Sequence, residues 1–392
     1  MIEQLKNYHE QEKLMALIIL SLFVPMIPSV IIMLIVLIIA LRKGYLQSAY
    51  HHTKASRFVL IFGVLEMIVS LFYRNFPGFG FCFLIVIFFS VAIFFREYLT
   101  EAFFEKMTKA ILILSVIAAL AGFIQYIVIL QSFHIHEPLL VVFNTPMHRI
   151  NAFYFNSNYY AMMINFFIGI GFYKILKAIQ KKRVKTILGI LAIILINMFA
   201  LYLSGCRTAW PALALGLIVM LFFAKFYKLF AGIAVLSAGG AGLMATHPQL
   251  ISRFSNIHKY IGVRRNIWRV AILNIKSHPL FGEGPMTYWH IYKNYKHAHP
   301  TQHAHNVFID PVLSFGIVGI CTIAPYFITS IAGLHRMHKK HCNDALVGLI
   351  IGMIVMTIVH GLLDYTIFFV HTATLFLIIM GSFDMYTKDT EA

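Results

Sequence analysis

The chain has 392 residues, of which 60% are hydrophobic and only 12% are charged, and its formal net charge is +17. The charged share is about half that of a soluble domain, and no basic patch lies in a soluble region, so a nucleic-acid-binding protein is excluded. Apolar runs long enough to cross a bilayer recur, and the short alternating segments of a membrane barrel do not. The sequence therefore predicts an all-α polytopic membrane protein, with residues 1–392 forming one integral membrane domain.

The predicted elements begin after a polar stretch, residues 1–13. The apolar run 14–41 is too long for one crossing and contains Pro25 and Pro28, so it forms either one kinked helix or two short helices. We leave open which of these applies, and with it the side of the N-terminus. Counting this run, we predict about 11–12 transmembrane segments. The others lie near 58–73, 79–95, 110–131, 159–176, 186–203, 209–224, 229–245, 306–332, 345–363 and 367–385.

The short basic loops set the orientation, because cytoplasmic loops carry an excess of Lys and Arg. The basic loops 42–57, 96–109, 174–185, 225–228 and 335–341 all fall on one side of this span count. We take that side as the cytoplasm. The opposite side receives the remaining loops: 74–78, a second outer loop at 132–158, the turn 204–208, the long loop 246–305 and the turn near Asp364.

The long outer loop, residues 246–305, is the densest polar segment of the chain. It carries eight Lys or Arg against a single acid, Glu283, and eight of the chain's 19 histidines. Trp268, Ile272 and Ile275 recur at helical spacing, which predicts a helix in part of the loop. So many cations and imidazoles at a membrane surface indicate a pocket for an anion.

Arginine side chains are the candidate ligands for that anion. Arg207 lies at a membrane edge, and Arg264 and Arg265 lie in the long loop. Guanidinium groups bind phosphate oxygens in pairs, which suits a diphosphate. Alternatively, these side chains reach lipid phosphates or solvent. In the second outer loop, Arg149 and Asn158 are further candidates, although capping of the next helix would also explain that loop.

The histidines His297, His299, His303 and His305 have spacings that can hold zinc or copper. We nevertheless predict no metal and no cofactor, because no acid or thiol lies near them in the sequence and the surrounding cations oppose a divalent ion. The acids of the outer loops and turns, together with Asp310 at the start of a span, are few and far apart: Glu137, Glu283, Asp310 and Asp364. A neutral histidine in a cationic pocket suits a general base.

Several segments resemble the signature of the O-antigen ligase and O-antigen polymerase superfamily. The first runs from Arg264-x-x-x-Trp268 through Pro279-x-x-Gly282-x-Gly284-Pro285 to His303-Ala304-His305-Asn306 and Gly316-Ile317-x-Gly319. Three further segments agree less closely: Arg149 with Phe155-Asn156-x-Asn158, Ser204-Gly205-Cys206-Arg207-Thr208-Ala209-Trp210, and His360-Gly361-x-x-Asp364. Ala152, Ser157 and Cys206 stand where that family has Gly, Pro and Ser. The resemblance covers roughly residues 145–365.

The resemblance implies a membrane glycosyltransferase of the GT-C type in the bacterial cytoplasmic membrane, with its active site facing the periplasm. Such enzymes serve polysaccharide biosynthesis in the cell envelope. They transfer an oligosaccharide from undecaprenyl diphosphate to a glycan or glycolipid acceptor. By matched position, Arg207 and Arg264 would bind the diphosphate and His305 would act on the acceptor hydroxyl. The other expected substrate-binding residues are Arg149, Arg265, His303, Asn158 and Asp364.

Two enzyme functions and one transport function remain open at this point. A repeat-unit polymerase, which we favour, and a ligase acting on lipid A-core share the donor and differ in the acceptor. A flippase for the carrier lipid would instead predict repeated halves and charges buried within spans, where Glu66 is the main charged residue. For the enzyme we expect metal-independent displacement at the anomeric carbon. Arginines would stabilise the leaving diphosphate, and a neutral histidine would accept the proton of the acceptor.

Overall fold

The computed structural model describes residues 2–135, 148–248 and 257–387. This part of the chain contains fifteen α-helices and no β-strand, which confirms the predicted all-α class. The helices in chain order are α1 Ile2–Ser21, α2 Met26–Arg42, α3 Tyr45–His52, α4 Arg57–Phe72, α5 Phe76–Tyr98, α6 Glu101–Ser132, α7 Ser157–Gln180, α8 Val184–Leu203, α9 Ala209–Phe223, α10 Tyr227–Thr246, α11 Ile257–Ser277, α12 Thr287–Ile291, α13 Ile309–Lys339, α14 Asp344–Gly361 and α15 Val370–Gly381.

Seven of these helices are long and apolar enough to cross a membrane: α5, α6, α7, α8, α10, α13 and α14. An eighth span results if α2 and α3, which meet at 85°, are counted as one. The other predicted segments correspond to α1, α4 and the shorter apolar helices α9 and α15. The run 14–41 is divided between α1 and α2, which pack against each other across the turn that contains Pro25. The chain is therefore a polytopic helical membrane protein.

The predicted basic loops meet on one face of the helical bundle, which we call the basic face. His52 Nδ1 lies 2.9 Å from a Glu97 carboxylate oxygen, joining loop 42–57 to loop 96–109. Lys174 Nζ lies 2.5 Å from Glu105 Oε2, which brings the loop after α7 to the same place. On this face basic side chains contact the acids Glu97 and Glu105.

The predicted outer segments meet at the other end of the helices, which we call the site face. The Asn75 amide donates to the Glu283 and Pro285 carbonyls at 2.9 and 2.8 Å, and Arg149 Nε donates to the Ser204 carbonyl at 2.6 Å. The two groups of loops are therefore separated as predicted. Parts of the second outer loop and of the long loop, residues 136–147 with Glu137 and residues 249–256, lie outside the described residues.

A break in α13 explains the glycine pattern around residues 279–319. Gly316 has φ +56° within the helix, and a Cβ there would lie 2.4 Å from the Leu280 carbonyl. The amides of Ile317 and Val318, freed by this break, donate to the carbonyls of Pro279 and Leu280 at 3.0 and 2.9 Å. Only glycine allows this close approach. The long outer loop is thereby anchored against the start of α13.

The helix predicted in the long loop exists as α11, and of the three residues that indicated it, Trp268 and Ile275 pack against its buried side. Ile267, Val270 and Ala271 are fully buried, whereas Ile272 is 45% exposed. The spacing of Trp268, Ile272 and Ile275 therefore predicted the helix correctly. It could not show which side of the helix is buried, because residues on neighbouring sides of a helix recur at the same spacing. Which stripe packs inward is decided by the neighbours, here α13 and the segment 301–306.

Candidate active site on the site face

The centre of the site is a group of three side chains, His303, His305 and Asp364, which we call the His–Asp cluster. Their ligating atoms all lie within 4.8 Å of one another. His305 Nδ1 lies 2.8 Å from Asp364 Oδ1, and His305 Nε2 lies 2.8 Å from the Thr301 hydroxyl. The His305 side chain remains 18% exposed. An imidazole oriented by a carboxylate and open to solvent has the arrangement of a general base.

The segment that carries the two histidines, residues 301–306, is fixed from several directions. α11 holds it through Trp268 Nε1, which donates to the Ala304 carbonyl at 3.0 Å. Asp310 Oδ2 accepts from the Ala304 amide at 2.5 Å. The Asn306 side chain accepts from the amide of Ile309, the first residue of α13, at 3.0 Å. The base is therefore positioned by a rigid support.

The segment 301–306 turns at His305. His305 has φ +52°, a left-handed conformation that non-glycine residues rarely adopt. The turn brings the His303 and His305 rings to 4.3 Å between centroids, whereas an extended segment would point them apart. The following helix begins at Ile309 and not near Asn306. The dipole of this helix has little effect on His305, because such effects fall off within one turn.

The two histidines have different surroundings. His303 is 3% exposed; its Nε2 lies 3.1 Å from the Tyr159 hydroxyl and its Nδ1 accepts from the His305 amide at 3.2 Å. Burial, helped by the charge of Arg264, lowers the pKa of His303 to about 3. His303 is thus a neutral supporting group, whereas His305 faces the open side.

Asp364 links the histidines to the second outer loop. Burial would raise its pKa, but His305, His303 and Arg264 outweigh burial and hold the pKa of Asp364 well below its usual range. The Asn158 amide donates to Asp364 Oδ2, and Asn158 Oδ1 accepts from Arg149 at 2.5 Å. Asp364 therefore stays ionised and contacts His305, a position that suits orientation of the base.

Arginine side chains border the His–Asp cluster. Arg264 is partly buried and close enough to Asp364 for their charges to interact, while burial lowers the pKa of Arg264. Within the described residues its guanidinium has no hydrogen-bond partner. Arg207, on the turn after α8, lies over the Tyr260 ring at 5.0 Å. Arg149 reaches the same turn through the Ser204 carbonyl. Arg149 and Arg207 are thus joined through the turn 204–208, and Arg264 lies near Asp364.

Other predicted residues lie outside this group. Arg265 is exposed on α11, and so is Arg269 on the same helix, which donates to the Lys296 carbonyl at 3.4 Å. His297 and His299 are also exposed. The structure does not bring these four side chains to the cluster.

The structure also shows contacts that sequence reasoning missed. Cys206 Sγ lies 3.4 Å from both His360 Nε2 and the Thr208 hydroxyl. Burial raises the pKa of Cys206, but His360, Arg149 and Thr208 outweigh it and lower the pKa to about 7. Tyr159 and Asp310 are further supporting residues. An acid in the first turn of an apolar helix was the one signal that pointed to Asp310.

The expectation of no metal rested partly on the absence of an acid near the histidines. That premise is wrong for the folded chain. Asp364 is 59 residues from His305 in the sequence, but its carboxylate contacts His305 in the structure. The cluster offers three ligands, as a metal site would. Both His305 nitrogens, however, are engaged by Asp364 and Thr301, and the charge of Arg264 opposes a cation. Metal independence stays a prediction.

Comparison with known proteins agrees with this arrangement. Residues 190–324 match the family model described as O-antigen ligase, and no curated protein matches the chain. The matched region contains Arg207, Arg264 and His305, whereas Arg149, Asn158 and Asp364 lie outside it. The match supports a membrane glycosyltransferase-like function of the ligase or polymerase type in a multi-pass bacterial membrane protein. The predicted resemblance to the O-antigen ligase and O-antigen polymerase superfamily is thereby confirmed.

Proposed function

We propose that this protein is a metal-independent glycosyltransferase of the bacterial cytoplasmic membrane. It transfers an oligosaccharide from undecaprenyl diphosphate to an acceptor sugar hydroxyl on the periplasmic side. The observation that carries the proposal is the contact between His305 and Asp364 beside an arginine group. A base and an anion site lie together there, and this displacement needs both.

The arginines would supply stabilisation of the leaving group. As the bond between the sugar and the diphosphate breaks, negative charge develops on the diphosphate oxygens. Arg264, Arg207 and Arg149 are positively charged groups held in place before the reaction, and such preorganised charges stabilise the developing charge. Arg264 is the main candidate, since it is partly buried and has no hydrogen-bond partner among the described residues.

His305 would remove the proton of the acceptor hydroxyl. Asp364 accepts the hydrogen bond of His305 Nδ1, which leaves the lone pair on Nε2 free to accept a proton. Thr301 already places a hydroxyl 2.8 Å from Nε2, so an acceptor hydroxyl must displace Thr301 or share this nitrogen. Attack by the acceptor opposite the leaving diphosphate would invert the configuration at the anomeric carbon.

The acceptor divides the proposal into two activities, of which we favour the repeat-unit polymerase. A polymerase uses a second carrier-linked repeat unit, and a ligase uses lipid A-core or another terminal acceptor. The test is purified protein in lipid vesicles, supplied with the carrier-linked repeat unit extracted from the source cells. Products longer than one repeat indicate a polymerase. Product formation only after lipid A-core is added indicates a ligase.

Matched arginine variants decide whether the proposed site performs the transfer. Arg264→Lys should reduce product at least roughly tenfold, because lysine keeps the charge and loses the paired hydrogen bonds. Arg265→Lys on the same helix should have a much smaller effect, since Arg265 is exposed. Equal activity of both variants, or no transfer by the wild-type protein to either acceptor, would contradict the proposal.

A further inference from the structure

Both nitrogens of the His305 ring are occupied in the structure. Nδ1 donates to Asp364 Oδ1 at 2.8 Å, and Nε2 accepts from the Thr301 hydroxyl at 2.8 Å. The His303 ring covers one side of the imidazole, with 4.3 Å between the ring centroids. The nitrogen that would take the proton of the acceptor therefore already holds a hydroxyl of the chain itself.

The Thr301 hydroxyl occupies the position that the acceptor hydroxyl needs. A general base must lie within about 2.6–3.2 Å of the oxygen whose proton it removes, and Thr301 lies within this range of His305. Hydroxyl, imidazole and carboxylate follow one another here as they do in the catalytic triads of hydrolases. Two roles are therefore open to Thr301: it attacks the donor itself, or it takes the place of the acceptor until an acceptor arrives.

Attack by Thr301 on the donor would give a product that is much less reactive than the donor. The bond from the anomeric carbon to the diphosphate would break, and the sugar would be joined to the Thr301 oxygen. The donor reacts because a diphosphate leaves readily, whereas a threonine oxygen is the far more basic leaving group of an ordinary glycoside. Only the second role, in which Thr301 takes the place of the acceptor, keeps the enzyme active.

Thr301 lies at the loosely held end of its segment. Ala304 is fixed at both its amide and its carbonyl, by Asp310 and Trp268. Among the described residues, by contrast, 299–302 make no backbone–backbone hydrogen bond, and Thr301 is partly exposed. Segments with few hydrogen bonds and exposed side chains move at low cost. Thr301 can therefore leave Nε2 while the base stays in place.

Water competes with the acceptor sugar, because water also carries a hydroxyl that His305 can activate. Attack by water would join its oxygen to the anomeric carbon, release undecaprenyl diphosphate and free oligosaccharide, and pass one proton to His305. A water molecule that displaces Thr301 replaces one hydrogen bond by another and gains nothing more. An acceptor sugar brings its other hydroxyls into contact with the site, and this binding energy drives the displacement. Exclusion of water is one way in which enzymes prevent hydrolysis.

We propose that Thr301 is a specificity-determining residue that restricts hydrolysis of the donor. Its hydroxyl occupies His305 Nε2 while the acceptor site is empty, and a bound acceptor sugar displaces it. The inference rests on the proposed function, because it assigns the choice between sugar and water at the same base. Thr301 acts through His305 and is in this sense a positioning residue.

Thr301→Ala and Thr301→Ser separate the hydroxyl from the rest of the side chain. Alanine removes the hydroxyl and leaves space beside Nε2, whereas serine keeps a hydroxyl at the same position. Thr246→Ala is the matched control, because the Thr246 hydroxyl also lies 2.9 Å from a histidine nitrogen, Nδ1 of His247, but at the exposed end of α10. Thermal unfolding of the three variants shows whether each is folded.

The first assay measures free oligosaccharide released by purified protein in lipid vesicles. It uses the carrier-linked repeat unit at a concentration too low for elongation and omits lipid A-core, so that the acceptor site is empty. Thr301→Ala should raise the initial rate of hydrolysis roughly twofold to tenfold, the range of one hydrogen bond. Thr301→Ser and Thr246→Ala should keep the wild-type rate.

The second assay measures transfer as a function of acceptor concentration. Thr301→Ala should lower the KM of the acceptor by a similar factor, because the acceptor no longer has to displace Thr301. A residue that only supported the fold would not give faster hydrolysis and a lower KM when it is replaced. The serine variant and the Thr246→Ala control should keep the wild-type KM.

Other results would overturn the inference. If Thr301→Ala hydrolyses the donor no faster than wild type, or raises the KM of the acceptor, Thr301 does not restrict access to the base. If Thr301→Ser behaves like Thr301→Ala, the hydroxyl is not the group responsible. If mass spectrometry finds a sugar on Thr301 of the wild-type protein after incubation with donor, this residue is itself an acceptor. In each of these cases the wild-type protein still transfers sugar, whereas failure of the proposed function leaves it with no transfer to either acceptor.

Discussion

Replacing Asp364 by asparagine tests the orientation of the proposed base. Asp364 accepts hydrogen bonds from His305 at 2.8 Å, from the Tyr365 amide at 2.8 Å and from Asn158. Asparagine keeps the size but removes the charge and turns one acceptor oxygen into a donor. At least one of these three donors then loses its partner.

The expected loss follows from the hydrogen bond between His305 and a buried carboxylate. Hydrogen bonds to charged groups contribute about 1.5–3 kcal/mol, which corresponds to a decrease in rate of roughly 10-fold to 150-fold. The effect should appear in turnover and not in donor binding, because Asp364 orients the base and does not contact the diphosphate in this account.

The assay is the initial rate of sugar transfer by purified protein in vesicles, with binding of undecaprenyl diphosphate measured in parallel. Asp344→Asn is the control, since Asp344 is also ion-paired, to Lys225 at 2.8 Å, but on the basic face. Thermal unfolding of both variants shows whether the fold is preserved. A folded Asp364→Asn protein with more than half of the wild-type rate would refute the orienting role.

The remaining predictions concern five residues and added metal chelators. Arg207→Lys and Arg264→Lys should each lower product at least roughly tenfold, or about 1.4 kcal/mol, and Arg265→Lys should not, as measured by product per unit of protein. Cys206→Ser should keep activity within about threefold in the same assay, because serine can also hydrogen-bond Thr208. The pKa of His303 is about 3 in the folded protein and 6.5 in the unfolded chain. As the pH falls below 6.5, this histidine therefore binds a proton in the unfolded chain and not in the folded protein, which lowers the free energy of unfolding. The wild type should therefore lose about 1.6 kcal/mol more stability than His303→Gln between pH 6.5 and 5, measured by unfolding. Chelators should leave the rate unchanged; a loss restored by added metal would contradict metal independence.

Much of the fold follows from local sequence. Helix ends fall near the predicted ones, as for α8 at Val184–Leu203 against 186–203, because hydropathy marks the part of a helix that lies in the bilayer. The separation of the basic loops from the outer loops follows from Lys and Arg alone. The inward stripe of α11 could not be predicted, since it depends on packing against α13.

The candidate site was predictable in its residue types and less so in its geometry. Arg264 and His305 could be named from the sequence, because their segments resemble a family pattern. The left-handed backbone at His305 could not be predicted from the sequence, since only a small share of non-glycine residues adopt it and nothing in the segment singles out this position. The role of Asp364 could not be predicted either, because His305 precedes α13 in the sequence and Asp364 follows α14. Tertiary packing sets both features.

The central claim is that His305 acts in the chemical step while other residues hold the donor. The most direct test compares undecaprenyl-diphosphate binding with turnover in purified His305→Ala protein. We expect binding to stay within about twofold of wild type, while turnover falls at least 100-fold, the lower range for loss of a general base. His303→Ala should be milder. If turnover of His305→Ala survives, or if binding and turnover fall together, His305 is not the base.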